Sequence, residues 1–164
     1  IESWAAAIML SRVDAKGKPA NGVDRALVGD FAGRSIVGFE TTASQLAIFD
    51  QLPASEQADL LNGTLREWRD SRGDPQWLLT AWLSGDETRI AEATRSGILA
   101  DPELRAALLV DRNARWMEAI TPALSRPERP LIAVGTAHLV GEDGLCAMLR
   151  ELGYTVTRIE RTRS

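Results

Sequence analysis

The sequence predicts an α/β fold: a small, mostly parallel sheet with a large helical insert, helix-rich and incomplete within this chain. Three stretches carry that expectation. Leu131-Ile132-Ala133-Val134, directly after Pro130, is an apolar run of the length of one buried strand. Ser35-Ile36-Val37-Gly38-Phe39-Glu40 reads as a second strand, with a carboxylate at its end. The order strand 131–134, helix 142–152, strand 154–159 fits a crossover between parallel strands. Everything between, residues 41–125, reads as the helical insert of one domain spanning 1–164.

The elements follow in order. Residues 1–12 form a helix in which Trp4, Ala5, Ile8 and Met9 share a face. Residues 14–22 are turn chemistry throughout. Asp24 to Ala32 is a short helix stopped by Gly33. After the first strand, Thr41 or Thr42 caps the next helix, Pro53 breaks or restarts it, and Ser55 to Arg69 continues helical. Asp74-Pro75 and Asp101-Pro102 each place a capping acid before a first-turn proline. The first opens a helix over 76–84, ended by Gly85; Asp86 caps another to Ser96. The second opens a long helix, about 103–121, with Pro122 and Pro127 ending it. Glu142 to Leu152 is helical, Tyr154 to Ile159 alternates like a strand, and Glu160 to Ser164 is a polar tail. Three short strands against this much helix leave apolar edges unpaired. That points to strands missing from the chain or supplied by a second copy, hence to self-association.

Size and composition bound the function. At 164 residues the chain supports one core, and 45% hydrophobic with 26% charged residues is ordinary for a globular domain. The net charge is −4, with no basic run and no basic stripe interleaved with aromatics, which speaks against a nucleic-acid partner. The single cysteine, Cys146, cannot form an intrachain disulfide and reads as a small core residue. No stretch approaches the roughly 18 apolar residues of a transmembrane segment, and no signal peptide is read here. The start at Ile1 reads as a trimmed or processed one.

The candidate chemistry lies at the strand ends. His138 is the only histidine and sits just past Val134, where sheets flanked by helices place their ligands. It is either a hydrogen-bonded structural residue or a metal ligand or base. Glu40 ends the other strand, so the two suit divalent-metal binding or acid–base work. The plainer role for Glu40 is an acid at a helix N-terminus. Arg112 and Asn113 sit mid-helix beside Leu109 and Trp116, where polar groups need partners. Arg112 either pairs with a neighbouring acid or faces a transition-state charge, while Asp111 and Arg115 are spaced for an exposed bridge. Gln45, Asp24 and Tyr154 are weaker candidates. There is no P-loop, dinucleotide glycine pattern, CxxC pair, HExxH or GxSxG elbow.

Taken together, these motifs resemble a known family. Asp24-Arg25-Ala26-Leu27, Ile36-Val37-Gly38-Phe39-Glu40-Thr41 with Gln45, Asp111-Arg112-Asn113 with Trp116, and Gly135-Thr136-Ala137-His138 with Gly144-Leu145 and Gly153-Tyr154-Thr155-Val156 occur in that order. They look like the motifs of the TraB/GumN family, which includes the Tiki metalloproteases; Phe39 stands where leucine is commoner. The resemblance covers about residues 20 to 160. It implies a Tiki-like α/β fold related to erythromycin esterases, with two GxxH motifs flanking the insert. This chain has one GxxH and one histidine, so it resembles the carboxyl-terminal half alone, without the amino-terminal half. The function so implied is part of a metal-dependent hydrolase of peptides or proteins, inactive as this piece. His138 and Glu40 would be metal ligands, with Glu40 or His138 as base and Arg112 stabilising developing negative charge. Manganese, cobalt or zinc would serve. The alternative is a non-catalytic peptide-binding or self-associating module of the bacterial cell envelope or periplasm.

Overall fold

The computed structural model describes residues 1–13, 22–70 and 76–160. Its helices are α1 (Ser3–Ser11), α2 (Val23–Asp30), α3 (Thr42–Asp50), α4 (Ala54–Asp70), α5 (Trp77–Ser84), α6 (Glu87–Ala93), α7 (Pro102–Arg105), α8 (Asp111–Leu124) and α9 (Leu145–Glu151). A π-helical turn, Ala106–Val110, joins α7 to α8, so one helical column runs from Pro102 to Leu124. Single 3-10 turns cover Gly97–Ala100 and Thr136–His138.

The local signals act as expected where side chains cap backbone. Thr41 accepts from the Ser44 N–H at 3.0 Å and Ser44 returns a bond to the Thr41 N–H, a reciprocal cap for α3. Asp86 caps α6 and Asp101 caps α7. Gly85 closes α5 in the left-handed region, φ +69°. Other boundaries move. α6 ends at Ala93 rather than Ser96, and α9 begins at Leu145 rather than Glu142. Pro122 lies inside the last turn of α8 instead of ending it, at an exposed position. The turn expected over 14–22 falls, except for Gly22, outside the described residues, as does the Asp74-Pro75 start.

The expected parallel sheet is absent: among the described residues there is no strand. Residues 35–38, 131–135 and 154–160 carry no regular secondary structure, and no backbone–backbone hydrogen bond ties 35–38, 131–134 or 155–159 to another described residue. The alternation that suggested strands is nevertheless physical. Ile132 and Val134 are half-buried while Leu131 and Ala133 are exposed, and Tyr154 and Val156 are half-buried between exposed threonines. Periodicity of two reports an extended chain laid with one face on a core. It does not report a ladder, which needs a second backbone alongside. In the third stretch Ile36 and Val37 are exposed, Val37 at 82%.

Two cores hold the helices. Trp116, Met117, Ile120 and Leu145 form one, with Phe39, Ile132, Val134, Leu139 and Met148 packed around it. Ala7, Leu60 and Leu104 form the other, with Trp4, Phe49, Leu61, Ile98 and Leu108. The 102–124 column supplies Leu104 to one and Trp116 to the other, so it is the element on which both are built. Cys146 is a half-buried free thiol. No described helix is long and apolar enough to cross a membrane.

Candidate functional site

The π-turn and the first turns of α8 set the site. Its residues Arg112, Asn113 and Trp116 lie on one helical face by their spacing. Asn113 is fully buried, 0% exposed. Its Nδ2 donates to the Asp143 carbonyl at 2.7 Å, and more weakly to the His138 carbonyl at 3.5 Å. With the amide so oriented, Oδ1 faces His138 Nδ1 at 2.7 Å. Nδ1 therefore carries the proton and donates it to Oδ1, which leaves the lone pair on Nε2. No described residue bonds Nε2.

The His138 ring lies against Trp116, centroids 4.4 Å apart. Burial, and then the nearby Arg112 charge, push its pKa down to about 4 from the ordinary 6.5, with Glu40 opposing. The ring is neutral at pH 7. The turn that carries it is pinned from several sides. Trp82 donates to Thr136 Oγ1 at 3.0 Å, Arg105 pairs with Asp143, and Arg95 reaches Glu142 at 2.7 Å.

Glu40 stands at the end of the first extended segment, just before the Thr41 cap. Arg112 grips it from both sides, Nε to Oε1 at 3.0 Å and Nη2 to Oε2 at 2.7 Å. Gln45 Nε2 adds a third donor at 3.2 Å. Arg112, above all through these hydrogen bonds, holds the carboxyl below the usual carboxylate range, against the opposing effect of burial. Arg112 Nη1 also donates to the Leu108 carbonyl within the π-turn, at 3.1 Å, and its guanidinium lies over the Trp116 ring at 4.9 Å. Trp116 thus touches both halves of the site, Arg112 and His138.

The structure gathers Glu40, Arg112 and His138 around one indole, with Gln45 beside them. Of the two plain alternatives, Arg112 does pair with an acid, but one 72 residues away in sequence; no ion pair joins Asp111 to Arg115 among the described residues. Asp24 lies in the first turn of α2 and Tyr154 follows α9, and neither hydrogen-bonds to Glu40, Arg112 or His138. Asp143 and Arg105 were missed by sequence reasoning. Their only signal was the adjacency of Asp143 to the Gly141–Gly144 turn. As a metal donor set the rim is uneven. No described residue engages His138 Nε2, whereas both Glu40 oxygens are taken by Arg112. Elsewhere Glu56, Asp101 and Glu103 bring carboxylate oxygens within 4.8 Å of one another, a spacing that suits a divalent cation.

YbaP of Escherichia coli (strain K12), described as an uncharacterized protein, is 29% identical over 117 residues, which is 71% of this chain and 42% of that protein. YbaP of Shigella flexneri matches with the same figures. The chain therefore spans less than half the length of the curated relatives it matches. No solved structure matches it. The model of the TraB/PrgY/gumN family matches residues 1–158, nearly the whole chain, and to that family this chain belongs.

Proposed function

We propose that the rim of Glu40, Arg112 and His138 is one side of a hydrolytic centre for peptide bonds, completed by groups from outside these residues. The observation that carries this reading is the state of His138. A neutral imidazole with Nδ1–H fixed on a buried amide and Nε2 free is the form a metal ligand or general base requires. The residues here fit one ligand of a divalent metal, His138 Nε2. Catalytic zinc takes about three protein ligands, so the others would come from elsewhere in the polypeptide. Such a metal, manganese, cobalt or zinc, would polarise a carbonyl or activate water. Arg112 is the fixed cation of the rim, aimed by Glu40, Leu108 and Trp116, and it faces developing negative charge. Glu40 serves in this reading by aiming Arg112, because both its oxygens are engaged.

That engagement is also what favours a second reading, a peptide-binding module without catalysis. The two separate in one experiment. The whole polypeptide is titrated with Mn2+, Co2+ and Zn2+ by calorimetry, with peptide turnover followed in parallel, in wild type and His138→Ala. The hydrolytic reading expects metal affinity to fall at least tenfold in the variant and turnover to vanish. Equal affinity and turnover in both proteins would reject it; peptide binding without any metal binding would leave the second.

A further inference from the structure

We infer that Arg105 is a positioning residue for His138: through Asp143 and Asn113 it locks the imidazole proton on Nδ1. That the lock serves catalysis rests on the hydrolytic reading above; the place of the proton is read without metal or turnover.

The lock is a chain of contacts. Arg105 Nε donates to the carbonyl of Thr94, a buried residue just past α6, at 3.1 Å, and its Nη2 pairs with the Asp143 carboxylate. With its side chain so held, Asp143 offers its own carbonyl to Asn113 Nδ2 at 2.7 Å. Asn113 is fully buried, so water does not compete for either end of its amide. The Asp143 carbonyl is what forbids the flipped amide. Turned over, Asn113 would aim Oδ1 at that carbonyl oxygen, two acceptors with no proton between them, and Nδ2 at His138 Nδ1. The ring would then accept at Nδ1 and carry its proton on Nε2. That tautomer has no lone pair on Nε2 for a metal or for a proton.

Helix geometry explains how two side chains of one column hold one loop residue. Arg105 ends α7 and Asn113 lies in the first turn of α8, with the π-turn between them. Eight residues separate the two, and in a regular α-helix that spacing leaves side chains about 80° out of phase. The π-turn takes up one residue, which brings them within about 20°. Both then reach Asp143, one at its carboxylate and the other at its carbonyl. The ion pair is also sheltered, its side chains 21% and 34% exposed, against 53% and 85% for Arg95 and Glu142 on the same turn. Screening by solvent weakens the second pair far more than the first.

The test is 15N spectroscopy of the His138 ring at about pH 8, where the imidazole is neutral; its signals are those lost in His138→Gln. The wild type is expected in the Nδ1–H form, with the two nitrogen signals widely separated. Arg105→Gln removes the anchor. Asp143→Asn removes the anchor's partner but keeps the carbonyl that Asn113 uses. Each should lower the ratio of Nδ1–H to Nε2–H forms by about two- to tenfold, the size of one net hydrogen bond. The double variant should lower it no further than either alone, because the two residues act in series. Thermal unfolding in parallel separates this from a merely structural role: a lowered Tm with unmoved ring nitrogens in both variants overturns the proposal. So does a double variant in which the effects add, and so does an Nε2–H ring in the wild type. Should Arg105→Gln fail to fold, Asp143→Asn, the more exposed of the pair, decides alone by whether the ring nitrogens move. A ring that answers to Arg105 in a whole polypeptide that binds no metal upholds the lock and rejects the hydrolytic reading. Metal binding that is lost in His138→Ala, with a ring indifferent to Arg105, does the reverse.

Discussion

His138 owes its neutral form first to burial, and two neighbours of opposite sign then adjust it. Arg112 and Glu40 both act on it, Arg112 lowering its pKa and Glu40 raising it, on top of the larger effect of burial. Removing each should move the ring in opposite directions. In Arg112→Gln the pKa rises from about 4 toward 6.5; in Glu40→Gln it falls further. Because the chain has one histidine, the Cε1 proton signal is unambiguous and its titration by NMR reads the shift directly. Shifts of the same sign in both variants would break the picture of an ion pair facing the ring. Asn113 acts differently, on the tautomer. Asn113→Ala leaves His138 Nδ1 and the Asp143 carbonyl without their buried partner, at about 1–3 kcal/mol. The nitrogen chemical shifts of the ring should change from the Nδ1–H form to a mixture. Unchanged nitrogen shifts in the variant would mean that something other than the amide fixes the proton.

At the level of elements, the turn that carries His138 is held by close approach. A Cβ on Gly144 would stand 2.5 Å from the Val140 carbonyl oxygen and 2.6 Å from that of Leu139. Backbone cannot give way there as a flexible side chain does. Gly144→Ala is therefore expected to cost about 1–3 kcal/mol and to displace the 136–140 turn from Asn113. Gly141 is the control: its φ of +79° favours glycine, but a Cβ there meets open space. Gly141→Asn, a residue that tolerates this conformation, should leave the His138 signal where it is. Chemical denaturation and the His138 proton spectrum check both. A Gly144→Ala protein with wild-type stability and an unmoved imidazole would show that the approach is not required. The same turn shows what could be read in advance. Glu40, Arg112 and His138 were legible in the sequence as polar residues beside apolar ones. Their convergence on Trp116 was not, because spacing along one segment carries no information about what a distant segment packs against. The sheet was misread for a related reason: alternation in 131–134 and 154–159 records one-sided burial, and that is equally satisfied by an extended chain on helices α8 and α9.

Across the whole molecule, the site couples to stability through protons. The unfolded chain protonates its histidine near 6.5, whereas the folded ring stays neutral until about 4. Between those values the unfolded state binds more protons, so stability falls as pH drops through that window. Glu40 acts in the same direction at lower pH. Its folded pKa lies below the ordinary 4.5, so the stability from its pairing with Arg112 is present above that value and is lost as pH falls through the lowered one. Both groups adjoin Trp116, which belongs to one core, and the 102–124 column carries the consequence to the other core at Leu104. Acid should therefore unfold both cores together. The measurement is thermal unfolding from pH 7 to pH 4, followed by far-ultraviolet circular dichroism and by tryptophan fluorescence. Tm should fall steadily below about pH 6.5, with the two probes coincident. In His138→Asn, which keeps a polar group but cannot titrate, the fall between pH 6.5 and 4 should be smaller, leaving the part below the carboxylate range. Equal falls in both proteins would show that the histidine is not buried neutral. Separated transitions would show instead that the column does not join the cores, and that the site rests on the Trp116 core alone.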